Sequence, residues 1–287
     1  MNAVCETINL GYFDRYMKKS NIVSMNKELL EKYRIKVYTR SMNDTLYKKS
    51  MSFLDLSFPK VRLQGTSADG YLVDLIMDEE ADIVINIDED AFVFDTSILI
   101  NLVDYVIQNG YANCGMPDGG VVHLRHFNPL VTNPFFNVFN TKLLRTKIRE
   151  YKEHDYNVHK ESFIEKCPLE MLKGAYEYVY FEPYYPLLIW INQNFKTLYL
   201  NANTHQDGLT TILEDYNAQP FLMHTWFSRF YGLDIKQTIR INNRIIECGA
   251  AADIDVNFTC VEQMSLLLHA VLKYGKTKLK KIYKHLR

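Results

Sequence analysis

The chain has 287 residues, of which 47% are hydrophobic and 23% charged, as is typical of a globular protein with a large core. A formal net charge of −1 without a broad basic surface makes nucleic acid a poor partner, and no segment approaches the roughly 20 apolar residues of a membrane span. Five scattered cysteines without metal-ligand spacing indicate free thiols in a reducing compartment. No signal peptide is visible at the N-terminus, so we expect a cytoplasmic protein.

The first part of the chain alternates helices and strands at short spacing. A helix is predicted within residues 9–33, followed by strands at 35–40 and 61–63. A second helix is predicted over residues 67–77, and an apolar strand over residues 83–87 follows it. This alternation favours parallel pairing with right-handed crossovers, and so predicts an α/β fold with a mostly parallel central sheet and flanking helices.

The second part of the chain continues this pattern less regularly. In order, we predict a helix at 96–108, a Gly- and Pro-rich loop or hairpin region at 114–134, a strand that leads into a basic helix at 135–151, a strand at 196–200 and a terminal helix at 266–287. The sequence therefore favours a single main domain, residues 1–260, with a C-terminal basic amphipathic helix, residues 261–287.

The C-terminal end is strongly basic. Residues 273–287 carry seven Lys and Arg side chains and no acidic side chain. Cations near the C-terminus of a helix are favoured by its dipole, so a solvated helix end is one interpretation. The other is peripheral contact with the inner face of a membrane, because basic clusters are attracted to anionic lipids.

An acidic turn follows the predicted strand at residues 83–87. Asp88, Glu89 and Asp90 stand directly after the apolar run, where open α/β sheets place their ligands. Two carboxylates one residue apart repel each other unless a cation lies between them, and Mg²⁺ or Mn²⁺ prefers oxygen ligands. The alternative is a solvated acidic turn without an ion.

The order of these segments resembles that of the metal-dependent nucleotide-sugar glycosyltransferases of the GT-A fold. Residues 35–44 look like the strand that ends near the nucleotide base, residues 64–74 like the following loop and helix start, and residues 86–90 like the Asp-x-Asp motif. Residues 220–229 resemble a segment in which several such families place a metal-binding histidine, and the whole resemblance covers residues 35–232. One departure is the short apolar run Ala3-Val4-Cys5, since these enzymes usually begin with a long apolar strand.

The resemblance implies a reaction and a metal site. It implies transfer of a sugar from a nucleoside-diphosphate sugar, with a UDP-sugar favoured, to a hydroxyl group of a glycan or lipid-linked glycan. It further implies a divalent cation at Asp88, Asp90 and His224, and an imidazole ligand favours Mn²⁺ over Mg²⁺. The alternative interpretation of His224 is a core histidine that hydrogen-bonds a backbone carbonyl.

Four residues are candidates for binding the donor. Arg40 stands at the end of the first predicted strand, and Asp88 can reach the ribose as well as the ion. Asp69 is a candidate for the ribose or the transferred sugar, although it could equally cap a helix. Arg229 could stabilise the negative charge that builds on the departing diphosphate, and its alternative role is a surface ion pair.

Two carboxylates are candidates for the catalytic base. Asp207 lies in a polar loop, and Glu182 lies among tyrosine and phenylalanine residues that would raise its pKa and could stack on a sugar. The loop at residues 117–120, with His123 and Arg125, could close over either substrate, or form a tight hairpin.

Other chemistries for the acidic turn are less well matched. A calcium loop requires an oxygen side chain where the sequence has Phe92, and phosphatases that use Asp-x-Asp normally have Thr or Val there. A sugar-nucleotide pyrophosphorylase would need a Gly-rich phosphate loop, but Gly11 is the single glycine in residues 1–63. The remaining alternatives are a non-catalytic protein that binds sugars or nucleotides, and an Asp-x-Asp phosphatase.

Overall fold

A computed structural model of the chain describes residues 32–65, 70–151, 165–179 and 182–249, together with the single positions 264, 268 and 271. Within these residues the strands form a six-stranded central sheet and a four-stranded second sheet. The strands are β1 (Ile35–Arg40), β2 (Lys60–Leu63), β3 (Ile83–Ile87), β4 (Ala91–Val93), β5 (Tyr111–Gly115), β6 (Phe136–Phe139), β7 (Lys196–Tyr199), β8 (Ala202–Thr204), β9 (Thr211–Glu214) and β10 (Pro220–His224). The α-helices are α1 (Asp44–Phe53), α2 (Tyr71–Met77), α3 (Thr96–Gln108), α4 (Thr141–Leu144), α5 (Tyr185–Asn194) and α6 (Ile235–Glu247).

The central sheet has the strand order β2-β1-β3-β6-β5-β7. β1 pairs in parallel with both β2 and β3, and β5 pairs in parallel with β7. β6 runs antiparallel to both of its neighbours, β3 and β5. The prediction of an α/β fold with a mostly parallel central sheet and flanking helices is therefore confirmed for the described residues.

Strand β3 lies inside the sheet and is buried on both faces. Ile83, Ile85 and Ile87 face a hydrophobic cluster that includes side chains of α3 and of the second sheet. Val84 faces the opposite cluster, to which α2 and α5 contribute. Because both faces are covered, this strand reads as an almost continuous apolar run. Each fully buried Val or Ile side chain here contributes about 1.5–3 kcal/mol to the stability of the fold.

Helix α3 has the boundaries that its sequence signals predict. The carboxylate of Asp95 caps its start by accepting hydrogen bonds from the backbone N–H groups of Ser97 and Ile98. After the helix, Gly110 adopts a left-handed conformation with φ of 67°, which glycine tolerates best. These two signals place the helix between β4 and β5, where it packs on the sheet.

The second sheet was not predicted from the sequence. It is antiparallel throughout, with the order β4-β10-β9-β8. β4 follows the acidic turn directly, so this sheet begins at the candidate metal site. Its strands have three to five residues, which is too short for a reliable alternation of apolar and polar side chains.

Two segment predictions are corrected by the structure. The loop region predicted from residue 114 begins later, because β5 continues to Gly115. The basic helix predicted within residues 135–151 is reduced to α4, which has four residues, and a short 3-10 helix at Ile148–Glu150. After α4, the guanidinium of Arg145 donates hydrogen bonds to the backbone carbonyls of Ile76 and Asp78 at the end of α2 and of Ala81 just before β3.

Several predictions fall outside the described residues. These are most of the helix within residues 9–33, the candidate donor-binding Asp69, and the terminal helix at 266–287 apart from Leu268 and Val271, which are helical and exposed. The division at residue 260 therefore stays a prediction. Among the described helices, none is both long enough and apolar enough to cross a membrane.

Candidate metal centre

The acidic turn connects the two sheets. Asp88, Glu89 and Asp90 stand between the end of β3 and the start of β4. The turn is closed by a hydrogen bond from the backbone N–H of Ala91 to the carbonyl of Asp88, and the N–H of Asp88 donates to the carbonyl of Phe135. Asp88 is half-buried, whereas Asp90 is only 4% exposed. The turn therefore presents one buried and one accessible carboxylate at the carboxyl end of a central strand.

Pairing between β4 and β10 brings His224 to this turn. In the antiparallel register His224 lies opposite Ala91, one residue after Asp90. The backbone N–H of Thr225 donates to the carbonyl of Asp90 at 3.0 Å, and the imidazole Nε2 of His224 lies 3.2 Å from Asp90 Oδ1. Residues far apart in the sequence are thus placed side by side by sheet register.

The three candidate ligands form one cluster. One ligand atom from each of Asp88, Asp90 and His224 can be chosen so that all three lie within 4.8 Å of one another. Ligand atoms about 2.1 Å from an octahedral ion are about 3.0 Å apart at adjacent positions and about 4.2 Å apart at opposite positions. The distance of 3.2 Å between Nε2 of His224 and Oδ1 of Asp90 fits two adjacent ligand positions around such an ion. Two carboxylates and an imidazole are also a donor set that Mn²⁺ accepts.

The environment of His224 favours a fixed imidazole. The ring is 2% exposed and stacks on Phe135, with 4.3 Å between ring centroids and an angle of 11°. Its Nδ1 atom is buried without a hydrogen-bond partner among the described residues. If His224 were only a core histidine, a backbone carbonyl would be expected to accept a hydrogen bond from this atom. No such carbonyl is present among the described residues.

Asp90 is held in its ionised form. Burial by itself would raise its pKa, but the adjacent imidazole of His224 and hydrogen bonds from His224 and Ser228 hold the pKa below the usual range of an aspartate. A carboxylate that stays ionised while buried is available to a cation.

Glu89 connects the acidic turn to the end of β1. Its Oε2 atom accepts hydrogen bonds from the hydroxyl of Ser41 at 2.8 Å and from the N–H groups of Met42 and Asn43 at 2.8 and 2.7 Å. Burial raises the pKa of Glu89 to about 7 in spite of these three donors. Glu89 does not belong to the ligand cluster, and its hydrogen bonds fix the position of the turn. Sequence reasoning gave it no role, because only the fold shows where it points.

Arg40 and Glu182 lie in the same region as the cluster. The guanidinium of Arg40 is 5.2 Å from the ring centroid of Tyr71. Among the neighbouring charged groups, Asp88 does most to stabilise the protonated form of Arg40. Burial raises the pKa of Glu182 above its usual range, and the charges of Arg125, Asp118 and Arg40 also act on it. Arg40 therefore interacts with both the accessible candidate ligand and the candidate base.

A buried carboxylate stabilises the loop beside Glu182. Asp118 is 0% exposed and accepts hydrogen bonds from Nε and Nη2 of Arg125, both at 2.8 Å, from the hydroxyl of Tyr185 at 2.5 Å and from the amide of Asn133. Arg125 also lies 5.6 Å from the ring centroid of Trp226. The buried ion pair of Asp118 and Arg125 therefore holds the Gly- and Pro-rich loop in place beside the candidate site.

The loop that contains Asp207 is organised by that carboxylate. Oδ1 accepts hydrogen bonds from the N–H groups of Leu209 and Thr210, and Oδ2 accepts from the hydroxyl of Thr210 at 2.7 Å and from Arg240. Although burial opposes ionisation, His205 and these hydrogen bonds hold the pKa of Asp207 far below its usual range. A base role for Asp207 stays a prediction, but these contacts favour Glu182.

Trp226 lies beside the candidate ligand His224, and the sequence alone indicated no role for it. Its ring centroid lies 4.1 Å from that of His224, and its indole N–H donates to the hydroxyl of Thr211 at 2.8 Å. Trp226 and Phe227 both adopt left-handed backbone conformations, with φ of 57° and 58°. For residues other than glycine this costs about 1–2 kcal/mol each, and such strain is concentrated at functional sites. The spacing His-x-Trp was visible in the sequence, but the conformation was not.

Roles in donor binding stay predictions for Arg229 and Asp69. Arg229 lies in the short 3-10 helix Ser228–Phe230, and its side chain is exposed. It follows Trp226 closely, so it stays a candidate for the diphosphate. Asp69 lies outside the described residues.

Comparison with known proteins gives little information on function. No protein-family model matches the chain, and no curated protein matches it. The mannosyltransferase PcManGT from Pyrobaculum calidifontis, determined in complex with GDP-mannose and Mn²⁺, is 12% identical, with a TM-score of 0.30. That match covers 40% of this chain and 46% of the mannosyltransferase, so this chain matches about half the length of that protein. The protein A197 from STIV is 13% identical over 66% of this chain and 93% of its own length, with a TM-score of 0.33. At these TM-scores neither likeness carries an argument, so a function has to be argued from the site itself.

Proposed function

We propose that this protein is a glycosyltransferase of the GT-A type that depends on a divalent cation, Mn²⁺ or Mg²⁺. The observation that carries the proposal is the cluster of Asp88, Asp90 and His224 at the carboxyl end of β3. That position in an α/β sheet is where ligands bind, and the donor set suits an ion that binds a nucleoside diphosphate.

The three candidate ligands would have different roles because they differ in burial. Asp90 and His224 are buried and would hold the ion, while the half-buried Asp88 is accessible to both the ion and the ribose of the donor. The bound cation would supply positive charge to the leaving diphosphate. Arg40, which interacts electrostatically with Asp88, would add a second positive charge on the same side of the site.

Glu182 would act as the base on the acceptor side. As the acceptor hydroxyl attacks, the bond between the anomeric carbon and the diphosphate oxygen breaks, and a bond from that carbon to the acceptor oxygen forms. The hydroxyl proton passes to Glu182, and the nucleoside diphosphate leaves with the bonding electrons. The raised pKa of Glu182 makes it a stronger base than an ordinary glutamate.

A ligand panel with a turnover assay tests the proposal. Thermal unfolding is measured with nucleoside-diphosphate sugars, with and without Mn²⁺, because a ligand that binds only the folded state raises the unfolding temperature. We expect at least one donor, a UDP-sugar first, to stabilise the protein only when Mn²⁺ is present. Failure of every donor to do so would contradict the proposal.

An assay for released nucleoside diphosphate distinguishes a transferase from a protein that only binds the donor. Nucleoside diphosphate is measured after addition of the stabilising donor and a panel of glycan and lipid-linked glycan acceptors. Its release in step with acceptor glycosylation would support a transferase. Donor binding without release across the panel would indicate a binding protein, and release of inorganic phosphate from phosphate esters would indicate a phosphatase.

A further inference from the structure

We propose that Arg240, anchored by Asp207, is a positioning residue that fixes the turn after β10 and so holds His224 and Trp226 at the candidate metal centre. The metal-binding part of this inference rests on the proposed function, because it takes His224 to be a ligand. The positioning of Trp226 does not depend on the metal and can be measured separately.

Arg240 contacts the backbone of the turn directly. Its Nη2 atom donates to the carbonyl of Thr225 at 2.6 Å and to the carbonyl of Trp226 at 3.0 Å. Its Nε atom donates to the side chain of Gln237 at 2.9 Å within α6. The two residues that follow His224 are therefore tied to a helix by a single side chain.

The turn needs such a tie because its backbone is strained. Trp226 and Phe227 are consecutive residues in the left-handed region, and neither is glycine. Residues of this kind keep such a conformation only when surrounding contacts impose it. The guanidinium of Arg240 binds the carbonyls that precede and lie within this stretch, where it can impose that conformation.

Asp207 holds the other side of the guanidinium. Nη1 of Arg240 donates to the hydroxyl of Thr210 at 3.1 Å and lies 3.5 Å from Oδ2 of Asp207. Asp207 is itself fixed by the N–H groups of Leu209 and Thr210. These contacts link the β8–β9 loop, α6 and the turn after β10. Asp207 therefore affects the candidate site indirectly, through the position of Arg240.

The position of the turn decides where two rings lie. His224 is the last residue of β10, and Trp226 follows it after Thr225. The ring of Trp226 packs on that of His224 and is tethered to Thr211 on β9. If Arg240 releases the two carbonyls, the backbone that carries the indole ring would no longer be fixed, and the imidazole would lose one of the two rings, Trp226 and Phe135, that pack against it.

Arg145 provides a matched control. Its guanidinium also donates to backbone carbonyls, those of Ile76, Asp78 and Ala81, at 2.9–3.0 Å. Ala81 precedes β3, whereas the acidic turn follows it, so Arg145 lies at the opposite end of that strand. An Arg145→Gln variant therefore loses the same kind of contact away from the candidate site.

The experiment compares Arg240→Gln, Asp207→Asn and Arg145→Gln by two measurements. The first is the affinity for Mn²⁺ by isothermal titration calorimetry. The second is the fluorescence of Trp226 without metal, in a Trp190→Phe background, since the chain has two tryptophans. Thermal unfolding of each variant shows that it is folded, and Asp207→Asn, which keeps the Arg240 side chain, covers the case in which Arg240→Gln does not fold.

We expect Arg240→Gln and Asp207→Asn to weaken Mn²⁺ binding at least about tenfold, as is typical when a residue that orients a metal ligand is removed. We also expect Trp226 emission in both to shift to longer wavelength and to become easier to quench with acrylamide, with no such change in Arg145→Gln. Unchanged Trp226 emission in both site variants would overturn the inference, as would unchanged Mn²⁺ affinity in protein that binds the ion. A wild-type protein that does not bind Mn²⁺ would overturn the metal-binding part together with the proposed function, and the Trp226 measurement would still decide the positioning of the turn.

Discussion

Replacement of Asp90 by asparagine should abolish the stabilisation that Mn²⁺ gives to the folded protein. The two side chains have the same shape, and the backbone carbonyl at residue 90 keeps its hydrogen bonds from the N–H and the hydroxyl of Thr225. The variant therefore keeps the connection between β4 and β10 and loses one negative charge. Because the carboxylate lies 3.2 Å from Nε2 of His224, its loss removes the buried anionic ligand from the cluster.

The size of the expected effect follows from binding to the folded state. At a free Mn²⁺ concentration of 100 times the dissociation constant, the ion adds about 2.7 kcal/mol to the free energy of unfolding. For a protein of roughly this size each kcal/mol raises the unfolding temperature by about 2–4 °C, so a shift of roughly 5–10 °C is expected. The Asp90→Asn variant should show almost none of this shift, while its unfolding remains cooperative without metal.

Differential scanning calorimetry with Mn²⁺ and with excess chelator measures this shift. Asp95→Asn is the matched control, because it is the same substitution in a residue that caps α3 rather than facing the cluster, and asparagine caps helices as well as aspartate. The control should keep the full Mn²⁺ shift. An Asp90→Asn variant that is stabilised by Mn²⁺ as strongly as the wild type would refute the assignment of Asp90 as a ligand.

Predictions also follow for His224, Glu182, Asp118 and the C-terminal segment. His224→Ala should weaken Mn²⁺ binding in calorimetric titration, and general unfolding without a specific loss of metal affinity would instead favour a core histidine. Glu182→Gln should lower turnover at least about 100-fold with donor affinity nearly unchanged. Because the pKa of Glu182 is raised, wild-type turnover should fall as the pH drops through that raised value, above the usual range of a glutamate, and a flat pH–rate profile there would contradict the base role. Asp118→Ala leaves the Arg125 guanidinium buried without its carboxylate, so urea unfolding should show a loss of about 3–5 kcal/mol, and a loss below about 1 kcal/mol would show that the pair is not important for stability. Deletion of residues 273–287 should abolish binding to anionic vesicles at low salt and leave transfer to a soluble acceptor unchanged. If the intact protein does not bind such vesicles, a membrane role for this segment is excluded.

The parts of the fold that the sequence predicted are those with local signals. Strand β3 is covered on both faces, so its sequence is an almost unbroken apolar run, and the acidic turn marks its end. Helix α3 has an aspartate cap at one end and Asn109-Gly110 at the other, and both signals act within a few residues. Such features can be read without knowing what packs against them.

The second sheet could not be predicted in the same way. Its strands are short, and their pairing joins segments from different parts of the chain, as β4 with β10. The contact between Asp90 and His224 depends on this register, and a shift of one residue would move the imidazole to the other face of the sheet. The acidic turn in the sequence indicated Asp88 and Asp90 and the resemblance added His224, but the proximity of these ligands is a property of the tertiary fold.

The surroundings of the two candidate bases, Asp207 and Glu182, could not be predicted from the sequence. Asp207 and Glu182 were equal candidates for the base, because both stand in segments with suitable neighbours. In the structure the two oxygens of Asp207 accept hydrogen bonds from Leu209, Thr210 and Arg240, which favour the ionised form and leave little basicity. Glu182 is partly buried near two guanidinium groups, and its pKa moves in the opposite direction. Whether a carboxylate is suited to act as an anchor or as a base depends on the donors that reach it, and a donor such as Arg240 comes from an element distant in sequence.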